Sequence, residues 1–379
     1  MSELSRSEIA GAGHTVREIL QQPTTWTETA RLMAWSAGVI GESLADARAI
    51  VLTGSGSSQY VCECAAPAIQ QTLGVPATVA GGGAILTYPE QVLPAGPSLM
   101  VSVARSGDSP ESYAAIELAL SSRPEMRHLI ITCNEKGRIA TGFHADDRVR
   151  VIALDARTND RSLVMTSSAT NLALAAQFLA YVESVEPYRD AVAVLSRSVA
   201  HLLDTHADAI AALGRSGFRR SVFLGTGTRF GAAREASLKM LEMTAGRVPT
   251  LAETYLGLRH GPMSFIHEDT LVVCFLSSVT PARAYEIDLT RELNAKRLGS
   301  GSLIVGENIP ADLGGNAVEC PGLAQAGDDL AAVVHIVAGQ LLALFRSMAE
   351  GLRPDAPSAD NVITRVVPEF QIYEDSRHR

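Results

Sequence analysis

Val51-Leu52-Thr53-Gly54-Ser55-Gly56 reads as a short strand halted by a glycine-rich turn, and Val222-Phe223-Leu224-Gly225-Thr226-Gly227 repeats it 171 positions later. The same offset carries Ser106 onto Ser277 and Pro110 onto Pro281. Two different motifs on one offset mark an internal duplication. Around them, short β-branched runs ending in Gly or Ser alternate with longer helical patterns, which predicts βαβ units and a mostly parallel sheet. In the first half, strands are expected over 49–53, 99–103, 129–132 and 149–153. A helix is expected over 110–122, opening with Pro and Glu as helix starts do. Glu186-Pro187 interrupts a helical pattern and places the boundary between the halves near 190–200.

The chain's 379 residues, 46% of them apolar, suffice for two compact cores. Its charge balance is 32 basic against 41 acidic residues, with no run of Lys or Arg to follow a phosphate backbone, so no nucleic-acid partner is expected. Cys62, Cys64, Cys133, Cys274 and Cys320 are scattered and read as reduced and structural. The start, Met-Ser-Glu-Leu-Ser-Arg, lacks the basic and apolar segments of a secretion signal, so a cytoplasmic location is expected. The apolar run over 330–345 falls short of the roughly 20 residues that cross a bilayer. It also contains His335 and Gln340, so a buried helix and no membrane contact are expected.

A strand that ends in a glycine-rich turn and feeds a helix gathers free backbone N–H groups at the positive end of the helix dipole. Two such turns follow strands of the first half: Gly54-Ser55-Gly56-Ser57-Ser58 and Ala104-Arg105-Ser106-Gly107-Asp108-Ser109. Small residues let the backbone close on an anion, and hydroxyls add donors. Either loop alone could be a tight turn with a Ser cap. The pair together, beyond strand ends of an open α/β sheet, reads as a phosphate site. A dinucleotide site is the competing reading, but Gln59 stands where the third glycine of that fingerprint belongs. The second half reads Gly225-Thr226-Gly227-Thr228-Arg229 and Leu276-Ser277-Ser278-Val279-Thr280, without the Ser-Gly-Asp-Ser core. The phosphate is therefore expected in the first half.

Moving a proton between adjacent carbons of an open sugar needs an acid and a base. Glu235, Lys239 and Glu242 fall on one helical face at spacings of four and seven. Such a face could simply be solvated. The apolar residues around it (Ala232, Ala233, Ala236, Leu238, Met240, Leu241 and Met243) favour convergence on a site. Leu258-Arg259-His260-Gly261-Pro262 sets a histidine in a loop fixed by Gly and Pro, either as a helix cap or as a catalytic group.

Six ordered motifs carry a resemblance over nearly the whole chain: Leu52-Thr53-Gly54-Ser55-Gly56-Ser57-Ser58, Arg105-Ser106-Gly107-Asp108-Ser109-Pro110-Glu111-Ser112, Ile131-Thr132-Cys133-Asn134-Glu135, Met165-Thr166-Ser167-Ser168, Ala233-Arg234-Glu235-Ala236-Ser237-Leu238-Lys239 and Arg259-His260-Gly261-Pro262. The chain resembles the sugar isomerase (SIS) domain proteins. Within them it is similar to the tagatose-6-phosphate ketose/aldose isomerase group, which is associated with galactosamine-6-phosphate deamination, and more distantly to the isomerase half of glucosamine-6-phosphate synthase. The resemblance implies an α/β fold class: two tandem SIS domains, each a flavodoxin-like parallel sheet flanked by helices. It divides the chain into a helical arm over 1–45, domains over 46–195 and 196–350, and a tail over 351–379 closing over the active site.

By the same resemblance, Gly56, Ser57, Ser58, Arg105, Ser106, Ser109 and Ser167 hold the sugar phosphate, with Glu235 and Lys239 beside them. Glu242 matches the proton-shuttling glutamate. His260 matches the ring-opening histidine that a neighbouring subunit contributes, which implies a homodimer with shared active sites. The spacing from Glu242 to His260 is two residues longer than in the synthase. The synthase's carboxy-terminal lysine falls near Arg365, a guanidinium that can polarise a carbonyl but forms no Schiff base. Residue 2 is Ser, so no amino-terminal Cys nucleophile for glutamine hydrolysis is present and ammonia release is favoured over synthesis. The expected function is an isomerase or deaminase acting on a 6-phosphohexose, most readily an amino sugar, with neither metal nor organic cofactor. Plain aldose/ketose isomerisation is one alternative. A non-catalytic sugar-phosphate sensor is another, and retention of Glu242 with His260 speaks against it.

Overall fold

The structure is a computed structural model and describes residues 11–358 and 361–373. Strands β1 (Ile50–Gly54), β2 (Ala77–Gly81), β3 (Ser98–Ala104), β4 (Met126–Thr132) and β5 (Val149–Ala153) form one parallel sheet in the order β2-β1-β3-β4-β5. Strands β6 (Arg220–Leu224), β7 (Thr250–Glu253), β8 (Thr270–Phe275), β9 (Gly301–Gly306) and β10 (Asn316–Glu319) form a second, in the order β7-β6-β8-β9-β10. Counted from its own first strand, each sheet has the doubly wound order 2-1-3-4-5, whose crevice opens between strands 1 and 3. The fold is thus two tandem flavodoxin-like α/β domains. Every residue of β1 and β3 is buried, as in sheets covered on both faces. The edge strand β2 alternates in exposure and carries only Thr78 and Val79 as β-branched residues, too weak a pattern to read from sequence.

An amino-terminal arm of α1 (Gly13–Leu20), α2 (Gln22–Trp35) and α3 (Ala37–Leu44) leads into β1. In the first domain, α4 (Ser57–Leu73) follows β1, α5 (Pro110–Ser122) follows β3, and α6 (Ser167–Gln177) lies beyond β5. The passage between domains departs from the sequence reading. Pro187 stands in the first turn of α7 (Val185–Thr205), where its missing N–H costs nothing, so it starts a helix instead of interrupting one. Residue 195 lies inside that helix, and Leu195 is fully buried.

The two domains and the arm share one core. Its centre is α8 (Thr228–Met243) packed against α9 (Ala332–Ala349). By length and composition α9 could cross a bilayer, yet 89% of it is buried within the protein. Gly339 lets the two helices touch, since a Cβ there would lie 2.4 Å from Ala236 Cβ. Trp26 of the arm is fully buried and donates its indole N–H to Thr170 Oγ1 at 2.9 Å. Helix α8 also crosses α4 closely: Arg234 stacks over the Tyr60 ring at 4.3 Å and pairs with Glu63. That crossing turns the second half of α8 toward the crevice of the first sheet.

Candidate active site

Two loops bound the crevice between β1 and β3. At the first, Gly56 adopts φ 58° and ψ −127°, a conformation open to glycine, and a Cβ on Gly54 would lie 2.6 Å from Ser58 Cβ. These two glycines allow the chain to turn at once into α4 with Ser57 and Ser58 in its first turn. The second loop is braced from behind. Asn134 Nδ2 donates to Ser106 O at 2.9 Å, Asp108 Oδ1 accepts from Arg138 N at 3.0 Å, and Gly107 sits at φ 69°. The loops enclose a cavity of about 370 Å³ lined by Gly56, Ser57, Ser58, Arg105, Ser106, Ser109 and Ser112. Hydroxyls, backbone N–H groups and one guanidinium suit an anionic oxygen cluster.

Of Glu235, Lys239 and Glu242 on α8, Glu242 alone lines this cavity. Lys239 and Glu235 lie wholly buried behind it. The Lys239 ammonium donates to Ser57 Oγ at 2.9 Å, pairs with Glu242 Oε2 and faces Glu235 Oε1 at 3.5 Å. Burial alone would lower the Lys239 pKa, but the two carboxylates outweigh it and hold it above the ordinary range. Burial pushes the Glu235 carboxyl up to about 7, against the pull of Lys239. The result is a chain of charges from second domain to first, with the partly exposed Glu242 carboxylate at its tip.

The tail forms the opposite wall through Val362, Ile363, Thr364, Arg365, Val367 and Pro368. Although Arg365 lines the cavity, its guanidinium is committed elsewhere. Nε donates to Asp160 O at 2.7 Å and Nη2 to Asn159 Oδ1 at 2.5 Å. Its carbonyl accepts from Arg105 Nη2 at 2.7 Å, while Arg105 Nη1 reaches Ser162 O and Leu163 O at 3.2 and 3.0 Å. Farther back, Asp355 Oδ1 accepts from Thr15 N and Thr15 Oγ1 at 2.8 and 2.7 Å, tying the root of the tail to α1.

Ser167 opens α6 but is fully buried, its Oγ accepting from Asn171 Nδ2 at 3.3 Å; Leu163 and Met165 face the cavity in its place. His260 is exposed in the loop after β7, outside the cavity of its own chain. Asn159 and Asp160 were not singled out by the sequence, although their position just beyond β5 puts them at the same end of the sheet. Asp160 accepts from Thr166 N and Ser168 N at 2.8 Å each, and so fixes the start of α6.

The SIS-domain pattern matches residues 43–181, the first of the two domains. A Streptomyces coelicolor protein bearing the name D-galactosamine-6-phosphate deaminase AgaS is 37% identical over 365 residues, 94% of each chain. The chain belongs to the AgaS family of SIS-domain proteins. The Escherichia coli AgaS, also named a D-galactosamine-6-phosphate deaminase, is 34% identical over 84% of this chain and 83% of its own. Among solved structures, a Clostridium novyi chain named for a tagatose-6-phosphate ketose/aldose isomerase matches with a TM-score of 0.91 at 29% identity, over 97% of this chain and 98% of that one. In this AgaS-family chain the second sheet lies beyond the matched pattern yet repeats the strand order of the first. The duplication therefore survives in topology where the loop sequences have diverged.

Proposed function

We propose that this AgaS-family enzyme converts a 2-amino-2-deoxyhexose 6-phosphate, galactosamine-6-phosphate foremost, into the ketose 6-phosphate and ammonia. The observation that carries the reading is Glu242: a carboxylate backed by a buried ammonium opens onto a cavity walled by two hydroxyl-rich loops. The phosphate is bound by Ser58, Ser106 and Ser109 with the N-terminal N–H groups of α4. The bound sugar opens to its C1 aldehyde. Glu242 takes the C2 proton, giving an enolamine, and returns it to C1, which leaves a C1 hydroxymethyl group and a C2 imine. Water adds to C2, and the C–N bond breaks to release ammonia. These steps call only for proton transfers and one water molecule, whose oxygen becomes the C2 carbonyl as ammonia leaves.

The same proton shuttle without nitrogen would interconvert aldose and ketose phosphates, and the name of the Clostridium structure favours that second reading. In either case the exposed His260 serves ring opening in a second copy of the chain, making the working form a homodimer. The buried, unpaired cysteines accord with a cytoplasmic enzyme. The test is ammonia release from purified protein with galactosamine-6-phosphate and with glucosamine-6-phosphate, alongside isomerisation of tagatose-6-phosphate and fructose-6-phosphate. Ammonia from the galacto epimer supports the deaminase. Isomerisation without ammonia supports the second reading, and binding with no turnover would overturn both.

A further inference from the structure

The crevice between β6 and β8 repeats the first domain's phosphate site, and its contents differ. Gly227, at φ 60° and ψ −131°, copies the backbone of Gly56, and α8 starts from it as α4 starts from Gly56. On the 171-residue offset, Ser58, Ser106 and Gly107 correspond to Arg229, Ser277 and Ser278. All three counterparts bind one carboxylate. Asp328 Oδ1 accepts from Ser278 N at 2.8 Å, and Oδ2 accepts from Ser277 Oγ at 2.9 Å and pairs with Arg229 Nη2 at 2.7 Å. Its backbone carbonyl takes Arg229 Nη1 at 3.3 Å and Thr228 Oγ1 at 3.4 Å.

We infer that the second domain retains an anion site of the phosphate type, occupied by the protein's own Asp328 carboxylate in place of a ligand. It takes the phosphate reading of the first-domain loops as its template. Arg229 is 2% exposed, and its Nε has no partner, so the pocket holds a buried cation with donor capacity to spare. A buried guanidinium without an anion is costly, which is why the place cannot stay empty. Burial would raise the Asp328 carboxyl, but Arg229 and the Ser277 and Ser278 donors together hold it below the ordinary range. The neighbouring Glu286, by contrast, is raised by burial, and the buried His335 is kept neutral. Glu286 Oε2 accepts from Ser277 N at 2.6 Å, so a second carboxyl braces the same loop.

The first domain shows why its own site is free. Asp328 lies four residues before α9, and the residue four before α6 is Leu163. Leu163 lines the open cavity and has no charge to offer the phosphate loops. Asp328 thus fills the second site from within while Leu163 leaves the first open to a ligand, and a chain binds one sugar phosphate, not two.

Equilibrium dialysis of full-length protein with radiolabelled inorganic phosphate tests this, with thermal unfolding as a second readout. Wild type and Ser106→Ala are compared with Asp328→Ala in both backgrounds, so that the second site is read apart from the first. Asp328→Ala should bind one more phosphate per chain than its parent in either background. Its unfolding midpoint should fall, then recover with added phosphate but not with chloride of equal ionic strength, as for a ligand that binds only the folded state. If Asp328→Ala folds only when phosphate is present, that supports the same conclusion. Asp328→Asn keeps the site sterically filled and should gain no phosphate. A second phosphate bound by wild type would overturn the inference. So would an Asp328→Ala protein that gains neither phosphate nor phosphate-dependent stability, or that stays insoluble in phosphate while Asp328→Asn is stable. Failure of phosphate to bind wild type at all would count against the first-domain reading alone, since the gain in Asp328→Ala is measured as a difference.

Discussion

The Lys239 ammonium donates to the Ser57 hydroxyl at 2.9 Å, joining a helix of the second domain to the phosphate loop of the first. Lys239 also faces Glu235 and Glu242, so one buried ammonium serves a buried carboxyl on one side and the cavity carboxylate on the other. Lys239→Met should cost roughly 3–5 kcal/mol, since it leaves the buried Glu235 without a counter-charge. Lys239→Met with Glu235→Gln should recover most of that loss. Urea unfolding of the two variants checks it, and a single variant as stable as wild type would show that the pair is not an anchor.

Glu242 is the one member of this group on the cavity wall. Glu242→Gln keeps its shape and removes its basicity, so turnover should fall by about 10²–10⁴. Sugar-phosphate binding should stay within about tenfold, because the loop contacts are untouched. Equal losses in calorimetric binding and in turnover would mean that Glu242 holds substrate and does not move protons.

The duplication and the glycine loops were legible because they obey local rules: strand, small-residue turn, helix start. The face of Glu235, Lys239 and Glu242 followed from helical spacing. What spacing could not convey was depth, since only packing of α8 against α4 and α9 decides that Lys239 is buried and Glu242 is not. The grip of Asn159 and Asp160 on Arg365 spans more than 200 residues of chain and has no local pattern to betray it. Pro187 misled because a proline that starts a helix looks, in sequence, like one that ends the helix before it.

Burial pushes the Glu235 carboxyl up to about 7 from an ordinary 4.5. The folded chain therefore keeps a proton that the unfolded chain gives up between those values, and stability falls as pH rises through that window. The loss is roughly 3 kcal/mol once pH exceeds 7. Asp160, raised to about 7 by burial and by Glu18, acts in the same direction. His128 and His335, lowered by burial to about 4 and about 3, oppose both by gaining stability as pH rises toward 6.5. The difference between wild type and Glu235→Gln isolates the first effect. The Glu235→Gln variant should lose less stability between pH 5 and 8 on chemical denaturation, and parallel curves would contradict the shift.

Arg365 holds the tail by its side chain and receives Arg105 on its backbone. The guanidinium therefore acts mainly by placing the tail wall. Arg365→Ala gives up two hydrogen bonds from a charged group, each worth about 1.5–3 kcal/mol when buried and less here, where the side chain is partly exposed. The expected result is a KM raised about tenfold and faster chymotrypsin cleavage in the tail. A fall in kcat with KM and proteolysis unchanged would instead assign Arg365 to the chemistry.

The exposed His260 sits outside its own chain's cavity while Glu242 lines it, so a shared site makes a sharp prediction. Glu242→Gln and His260→Ala should each be inactive alone. Unfolded together and refolded as a mixture, they should regain about a quarter of wild-type activity, because half the dimers are mixed and each mixed dimer contains one intact site. Sites complete within one chain would give no recovery, since every chain lacks one essential group. Recovery would place His260 across the subunit boundary and make the homodimer the catalytic entity. A His260→Ala protein that kept full activity would remove the histidine from ring opening altogether and leave that step to groups already inside the cavity.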